Sequence, residues 1–300
     1  MNKIAYMIMA HRDENHLRKL VERLNYNADF YIYIDKKASI ERFVNCLPVS
    51  EYPNVYWIEK RHIVCWGGWS QAEPIVSLLE NVLKRQYARI CFITGADYPI
   101  VSGESLYQKL TCDNEEYICA SRLRNKGNER YLDKVTRRWY FDLKIKNTFI
   151  LRISRKCLNL VLGIFPKRNP ELIINGKITP VYYGFAYWAI TEPCASYLYH
   201  TIQTNVSVKK FFKYSYAPIE MMPHTIIFNS GFRNKCKEFH DFKQADCMVY
   251  APLHYVRYGE HGTRVMDETD YENIIASGKI FFQKADSKIS EKLIKKLDED

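Results

Sequence analysis

The apolar run Ile4–Ala10 stops abruptly at His11-Arg12-Asp13, as a strand buried on both faces does. From His16 to Leu24 the period changes, and Leu17, Leu20, Val21 and Leu24 share one face of a helix. Phe30–Ile34 predicts a second strand, running into Asp35-Lys36-Lys37, and a short helix over Ile40–Leu47 leads to a strand at Val55–Ile58. Gln71–Leu83 reads as a strong helix with apolar residues at 75, 76, 78, 79, 82 and 83. Strand Ile90–Thr94 then enters the turn Gly95-Ala96-Asp97-Tyr98-Pro99. Strands alternating with helices predict an α/β fold, a mainly parallel sheet covered on both faces. Ligands of such sheets bind beyond the carboxyl ends of the strands. Those ends carry His11, Asp35-Lys36 and the Gly95–Asp97 turn, each also an ordinary choice for a turn or a cap.

Residues 122–180 break the pattern. Arg122, Arg124, Lys126, Arg130, Lys134, Arg137 and Arg138 are interleaved with Tyr131, Trp139 and Tyr140. Phe149–Phe165 follows as an amphipathic helical segment with Arg152, Arg155 and Lys156 on its polar side, stopped at Pro166. Basic and aromatic interleaving fits single-stranded nucleic acid, an interfacial helix on anionic lipid, or a solvated face with no partner. The segment is expected to be an insertion or lid within one domain, between a nucleotide-binding half (1–121) and an acceptor and catalytic half (181–300).

Val181–Ile190 reads as one aromatic strand, Glu192–Gln203 as a helix, and Cys247–Val256 as a further strand. Asp267–Ile275 is an expected helix, Lys279–Phe282 an expected strand, and the tail from Ser287 a charged helix frayed at its end. Within Phe211–Gly231, Pro218 suits the first turn of a helix and Glu220 would lie near its positive end. A carboxylate held there can act as a general base, although Glu also simply favours a first turn.

The totals narrow the class. The chain has 300 residues, 47% of them hydrophobic and 26% charged, which suits one large globular domain. An excess of 44 Lys and Arg over 34 Asp and Glu points to an anionic partner without choosing it. Tyr, at 23 copies, supplies surface on which sugars or bases can stack. The nine cysteines form no CxxC pair, which argues against a zinc ribbon, and Cys46, Cys91 and Cys119 are expected to be buried thiols. An odd cysteine count, no cleavage-site pattern and no apolar run of about 20 residues lead to the expectation of a cytoplasmic protein. Neither GxGxxG nor GxxxxGK[ST] occurs, so a dinucleotide fold and a P-loop lack support. Trp66-Gly67-Gly68-Trp69 is a tight turn that serves packing or a sugar platform.

Four segments in register resemble the core-2/I-branching β-1,6-N-acetylglucosaminyltransferase and peptide O-xylosyltransferase family. Ile4–His11 with Tyr31-Ile32-Tyr33-Ile34-Asp35-Lys36-Lys37 is similar to its strand-His and HxDKK signature, with Tyr33 where His is usual. Trp66-Gly67-Gly68 and Thr94-Gly95-Ala96-Asp97-Tyr98-Pro99-Ile100 resemble its WGG and SG-x-DYP-I segments. Tyr214–Glu220 with His224-Thr225 and Asn229-Ser230 resembles its catalytic segment, with Ile219 a mild departure. Ile280–Asp286 is similar to FARKF(D/E), with Gln283 for Arg and Ala285 for Phe.

The resemblance implies a GT-A-type, Rossmann-like fold and an inverting transfer from a UDP-sugar to a glycan or glycolipid hydroxyl, without a divalent metal. N-acetylglucosamine or xylose is the implied sugar. It implies Glu220 as the general base and Lys284 as a diphosphate ligand, with Arg264 or Arg257 as its partner. It places His11 and Asp35 at the uridine, and Asp97 in the same cleft as an orienting or donor-binding group. Trp188, Tyr187, Arg137 and Arg138 are expected on the acceptor side. The sole D-x-D, Asp298–Asp300, lies in the tail and is no metal site. Eukaryotic members carry an N-terminal membrane anchor, and the expectation here is a bacterial-type enzyme, soluble or peripheral on anionic membrane. A catalytically inactive glycan- or nucleotide-binding module and a single-strand nucleic-acid binder are the alternatives.

Overall fold

The computed structural model describes residues 3–124, 131–239, 251–260 and 262–299. Lys126, Arg130, Cys247, His261, Asp300 and the first part of the expected strand at 247–256 lie outside them.

The first half follows the alternation read from the sequence. β1 (Ile4–Ala10), α1 (Glu14–Leu24), β2 (Ala28–Ile34), α2 (Ile40–Cys46), β3 (Val55–Trp57), α3 (Glu73–Val82) and β4 (Arg89–Thr94) run in order. β5 (Asp97–Pro99), α4 (Gly103–Thr111) and β6 (Glu116–Arg122) follow. The middle carries α5 (Asp133–Thr136), α6 (Thr148–Leu162), the hairpin β7 (Glu171–Ile174) and β8 (Lys177–Pro180), β9 (Tyr182–Gly184) and β10 (Trp188–Ile190). The last part contains α7 (Glu192–Thr204), α8 (Val206–Phe212), α9 (Met222–Phe228), β11 (Cys236–Glu238), β12 (His254–Val256), β13 (Tyr258–Gly259) and β14 (Gly262–Thr263). α10 (Tyr271–Ala276), β15 (Phe281–Gln283) and α11 (Glu291–Glu299) close the described chain.

The central sheet has the order β11-β6-β10-β4-β1-β2-β3, with β9 on β6. β4, β1, β2 and β3 are mutually parallel, while β10 enters antiparallel between β4 and β6. The expected α/β class, a mainly parallel sheet flanked by helices, is the one formed. The strand period of two explains its core. In β1, Ala5 and Met7 pack with α3 residues Ile75, Leu78 and Leu79, while Ile4, Tyr6 and Ile8 pack with Leu17, Leu20 and Val21 of α1. A run buried on both faces has to be apolar throughout, which is why it reads as continuous.

Several expectations need correction. Val181–Ile190 is two strands, because the chain leaves β6 at Gly184 and re-enters between β6 and β4 at Trp188. Glu220 closes a 3₁₀ turn, Pro218–Glu220, and precedes Met221, the N-cap of α9, so it is outside that helix's first turn. The tail is docked: α11 buries Leu293, Ile294 and Leu297, and the Tyr98 hydroxyl donates to Asp298 Oδ1 at 2.9 Å. Cys46 is only half-buried, unlike Cys91 and Cys119. Among the described residues, no helix is long and apolar enough to cross a membrane.

Candidate active site

The carboxyl ends of β1, β2 and β4 open into one cleft of about 430 Å³. β1 contributes His11 and Arg12, β2 contributes Tyr33, Asp35 and Lys37, and the turn after β4 contributes Thr94, Gly95 and Ala96. Trp66, Tyr187, Gln283 and Lys284 complete the walls. The turn fits tightly, because a Cβ on Gly95 would stand 2.7 Å from that of Ala10. Glycine is therefore what lets the floor approach β1.

Asp35 is nearly buried, and its Oδ1 accepts from the amides of Lys37 (2.9 Å) and Val64 (3.3 Å). Its Oδ2 is 3.2 Å from Lys37 Nζ. The carboxylate thus shapes the loop that faces the cleft. Desolvation, then Arg12, holds the His11 imidazole below its ordinary pKa, with Asp35 opposing. His11 is accordingly a neutral wall of the cleft at pH 7.

Lys284 follows β15. Its amide donates to the Arg264 carbonyl at 3.2 Å, and the next amide, of Ala285, donates to the Ala96 carbonyl at 2.8 Å. These two bonds clamp Lys284 against the floor. Its pKa is lowered by desolvation first and then by Arg12, with Asp97 acting the other way. Arg12 and Lys284 are thus close enough to repel. Among the described residues neither side chain has a carboxylate partner. Two cations that face one cleft, neither bonded to a carboxylate among the described residues, suit an oxyanion such as a diphosphate.

The arginine expected beside Lys284 is therefore a different one. The Arg264 guanidinium turns to Asp270, which also takes Arg257 Nη1 at 2.7 Å, and neither arginine lines the cleft. The completely buried Asp270 needs both cations, and that requirement fixes their direction. Arg12 belongs to none of the four motif segments, and only its place directly after His11 at a strand end marks it in the sequence.

Asp97 is 0% exposed, so it lies beneath the floor and out of a ligand's reach. Its Oδ2 accepts from the Thr94 amide at 2.6 Å and stands 3.5 Å from His254 Nε2, while its carbonyl meets His16 Nε2 at 3.1 Å. The expectation that Asp97 itself contacts the donor is therefore corrected, since the carboxylate is enclosed by the fold.

Tyr187 does line the cleft, but on the wall shared with Thr94 and Gln283. Gln283 Nε2 donates to its hydroxyl at 2.6 Å. Burial, then Asp97, makes that hydroxyl harder to ionise, and Glu220 acts in the same direction from further off. Trp188, its neighbour in sequence, is 0% exposed and packs on Phe92 at 5.5 Å, so it is core and touches no acceptor. Both rings touch Phe92, but Trp188 is inside β10 while Tyr187, just before it, reaches the cleft. Arg137 and Arg138 are also corrected, because Nη2 of the first donates to the Asn159 carbonyl (2.9 Å) and Nη1 of the second to that of Pro166 (2.6 Å). They brace the insertion against itself.

Glu220 sits beside the cleft rather than in its wall. Its Oε2 lies 2.6 Å from Lys134 Nζ, which also faces the rings of Tyr183 at 4.6 Å, Tyr216 at 5.3 Å and Tyr131 at 5.5 Å. Tyr216 meets Trp66, Trp139 and Phe141 at 5.4, 5.9 and 5.2 Å, an aromatic cluster that links the Lys134–Glu220 pair to the Trp66 wall of the cleft. Asp142, next to that wall, accepts from the Ser70 hydroxyl at 2.6 Å and fills the space a Cβ on Gly68 would need. The Trp66-Gly67-Gly68 turn is thus both packing and wall. Lys134 counted only as one of a basic run, since nothing in its spacing pairs it with a glutamate 86 residues away.

A Core-2/I-Branching enzyme family model matches residues 4–258, most of the chain. The chain belongs to that family of glycosyltransferases. It is 23% identical over 247 residues to a xylosyltransferase of Ciona intestinalis, across 80% of this chain and 26% of that protein. It is 24% identical over 236 residues to xylosyltransferase 2 of Canis lupus familiaris, across 76% of this chain and 25% of that one. Human xylosyltransferase 2 matches at 24% over the same shares. The chain thus spans about a quarter of the length of these relatives. The crystal structure of S. aureus TarS 1-349 overlays 46% of this chain and 41% of its own, at a TM-score of 0.28 and 12% identity. The fold itself is an α/β domain with a mainly parallel sheet flanked by helices.

Proposed function

We propose that this chain transfers a sugar from a UDP-sugar to a glycan or glycolipid hydroxyl, inverting the anomeric centre without a divalent metal. The observation that carries the reading is the pair of unpartnered cations, Arg12 and Lys284, facing a cleft beside which Glu220 stands. The uridine would lie toward His11, Asp35 and Tyr33, and the diphosphate between the cations. As the anomeric C–O bond breaks, its electron pair goes to the diphosphate oxygen, whose growing charge Arg12 and Lys284 offset. With the acceptor sugar stacked against Trp66 and Tyr216, its hydroxyl loses its proton to Glu220 while its oxygen attacks the opposite face of the anomeric carbon. One displacement gives one inversion. Lys134 holds Oε2 and leaves Oε1 for the acceptor, which makes it a positioning residue.

The xylosyltransferase relatives favour UDP-xylose, and the motif resemblance adds UDP-N-acetylglucosamine. Among the described residues, no group of three His, Cys, Asp or Glu side chains is placed to hold a metal ion. The deciding experiment is a panel of UDP-sugars with glycan acceptors, with and without EDTA. Transfer that persists in EDTA supports the reading, and transfer abolished by EDTA and restored by a divalent cation sinks the metal-free part. Tight UDP binding with no turnover would make the chain an inactive binding module. The nucleic-acid alternative loses ground because Arg137, Arg138 and Arg168 donate to backbone carbonyls of the fold itself.

A further inference from the structure

Helix α6 leaves much of its apolar surface uncovered, while Leu151, Leu158 and Leu162 on its other side are only half-buried. A helix on a globular domain normally turns its apolar stripe inward. Here the inward anchor is polar: Asn159 is the helix's sole buried residue, and its Oδ1 accepts from the Tyr140 amide at 2.8 Å. Arg155 Nη2 donates to the Phe141 carbonyl at 2.7 Å, and Arg137 reaches the Asn159 carbonyl at 2.9 Å. At 100° per residue, Phe149, Ile150, Ile153, Leu160 and Val161 fall on one stripe of about 120°. All five are exposed, Phe149 by 70%, and Ile164 (83%) and Phe165 continue the surface beyond the helix end. Asn147 caps the helix, accepting from the amides of Phe149 (3.0 Å) and Ile150 (3.1 Å), so the stripe belongs to a defined helix.

The charge around the stripe selects its occupant. Residues 143–170 contain seven Lys or Arg and no Asp or Glu. Lys144 and Lys146 precede the helix, Arg152 and Lys156 edge the stripe, and Lys167 lies beyond it, all exposed. Two such faces brought together would set like charge against like charge, which disfavours a second copy. An anionic bilayer offers both what the stripe needs, a shallow apolar layer, and what the rim needs, a negative surface.

We propose that α6 and its basic rim dock this protein on an anionic lipid surface, with Phe149, Ile153, Leu160 and Ile164 inserted at the headgroup boundary. The docking is independent of the proposed reaction, because none of these side chains lines the cleft or touches Glu220. Sedimentation of the full chain with vesicles of phosphatidylcholine alone, or with phosphatidylglycerol added, tests it. Binding to the anionic vesicles should exceed binding to the neutral ones at least tenfold and weaken steeply with salt. Lys144→Ala with Lys146→Ala should reduce it by about tenfold or more, and Phe149→Ser with Ile153→Ser should reduce it comparably. All four positions are exposed, so folding and turnover of a soluble acceptor should be unchanged. The proposal is overturned by three results: no sedimentation with anionic vesicles at low salt, binding that the variants leave intact, or a dimer in solution that the same variants dissolve.

Discussion

The Lys134 ammonium stands 2.6 Å from Oε2 of Glu220 and is ringed by Tyr131, Tyr183 and Tyr216. The two residues come from segments that share no local pattern, and their side chains are 20% and 29% exposed. A half-open pair of this kind adds at most about 1 kcal/mol to stability. Its value is geometric, since it points one carboxylate oxygen at a fixed place.

Glu220→Gln should lower kcat for transfer by about 10²–10⁴-fold while leaving UDP affinity within twofold. Lys134→Met should lower kcat by about tenfold or more, with KM for the donor little changed and the unfolding midpoint nearly unmoved. Steady-state kinetics beside calorimetric UDP titration separate these effects. A Glu220→Gln enzyme with full activity would remove the base assignment.

Arg12→Ala and Lys284→Ala should each weaken UDP binding about tenfold or more, whereas Arg264→Ala should act mainly on stability through the buried Asp270. Lys284 carries its charge below its pKa, and that pKa is lowered by burial and Arg12. The charge is therefore lost earlier on the alkaline side than for an ordinary lysine, near about 10.4. UDP affinity measured from neutral to alkaline pH should fall before that value. Lys284→Arg should flatten the fall, because a guanidinium stays charged.

Burial pushes His224 down from 6.5 to about 3, and it lowers His16 as well. In both, the native state takes its proton later than the unfolded chain as pH falls. The sign follows: stability is highest above pH 6.5 and declines below it, down to the native pKa. His224 alone gives a slope approaching about 1.4 kcal/mol per pH unit between its unfolded and native values, and His16 adds to it in the same direction. Denaturant unfolding across pH 7 to 4 should show this loss, and His224→Asn should reduce the slope by about 1.4 kcal/mol per pH unit.

Trp188→Ala should cost about 3–5 kcal/mol of stability, as a fully buried ring does. Unfolding of the variant against the parent measures it. Acceptor KM in the fraction that remains folded should be unchanged, since the ring lies in the core against Phe92.

Strand and helix order in the first half was legible because β1, β2 and β4 are buried on both faces and α1 and α3 on one. Burial of that kind writes its period directly into the residues. The same logic located His11, Asp35 and the Gly95 turn, since strand ends in a parallel sheet meet along one edge. Motif resemblance singles out Lys284 and Glu220, and the structure puts the first in the cleft wall and the second beside it.

What the residues could not show was direction. Asp97 and Trp188 sit in site-like motifs and are buried beneath the surface those motifs make. Arg264 lies next to Lys284 in the fold yet turns to Asp270, because a buried carboxylate holds the nearest cations. The pairing of Lys134 with Glu220, the facing of Arg12 into the cleft and the exposure of the α6 stripe emerge only when segments far apart in the chain are set side by side. Local periodicity is a property of the chain, so sequence alone determined the elements and their order. Pairing across tens of residues is a property of packing, so the tertiary structure alone decided which charges face the cleft, which face each other, and which apolar face is left uncovered.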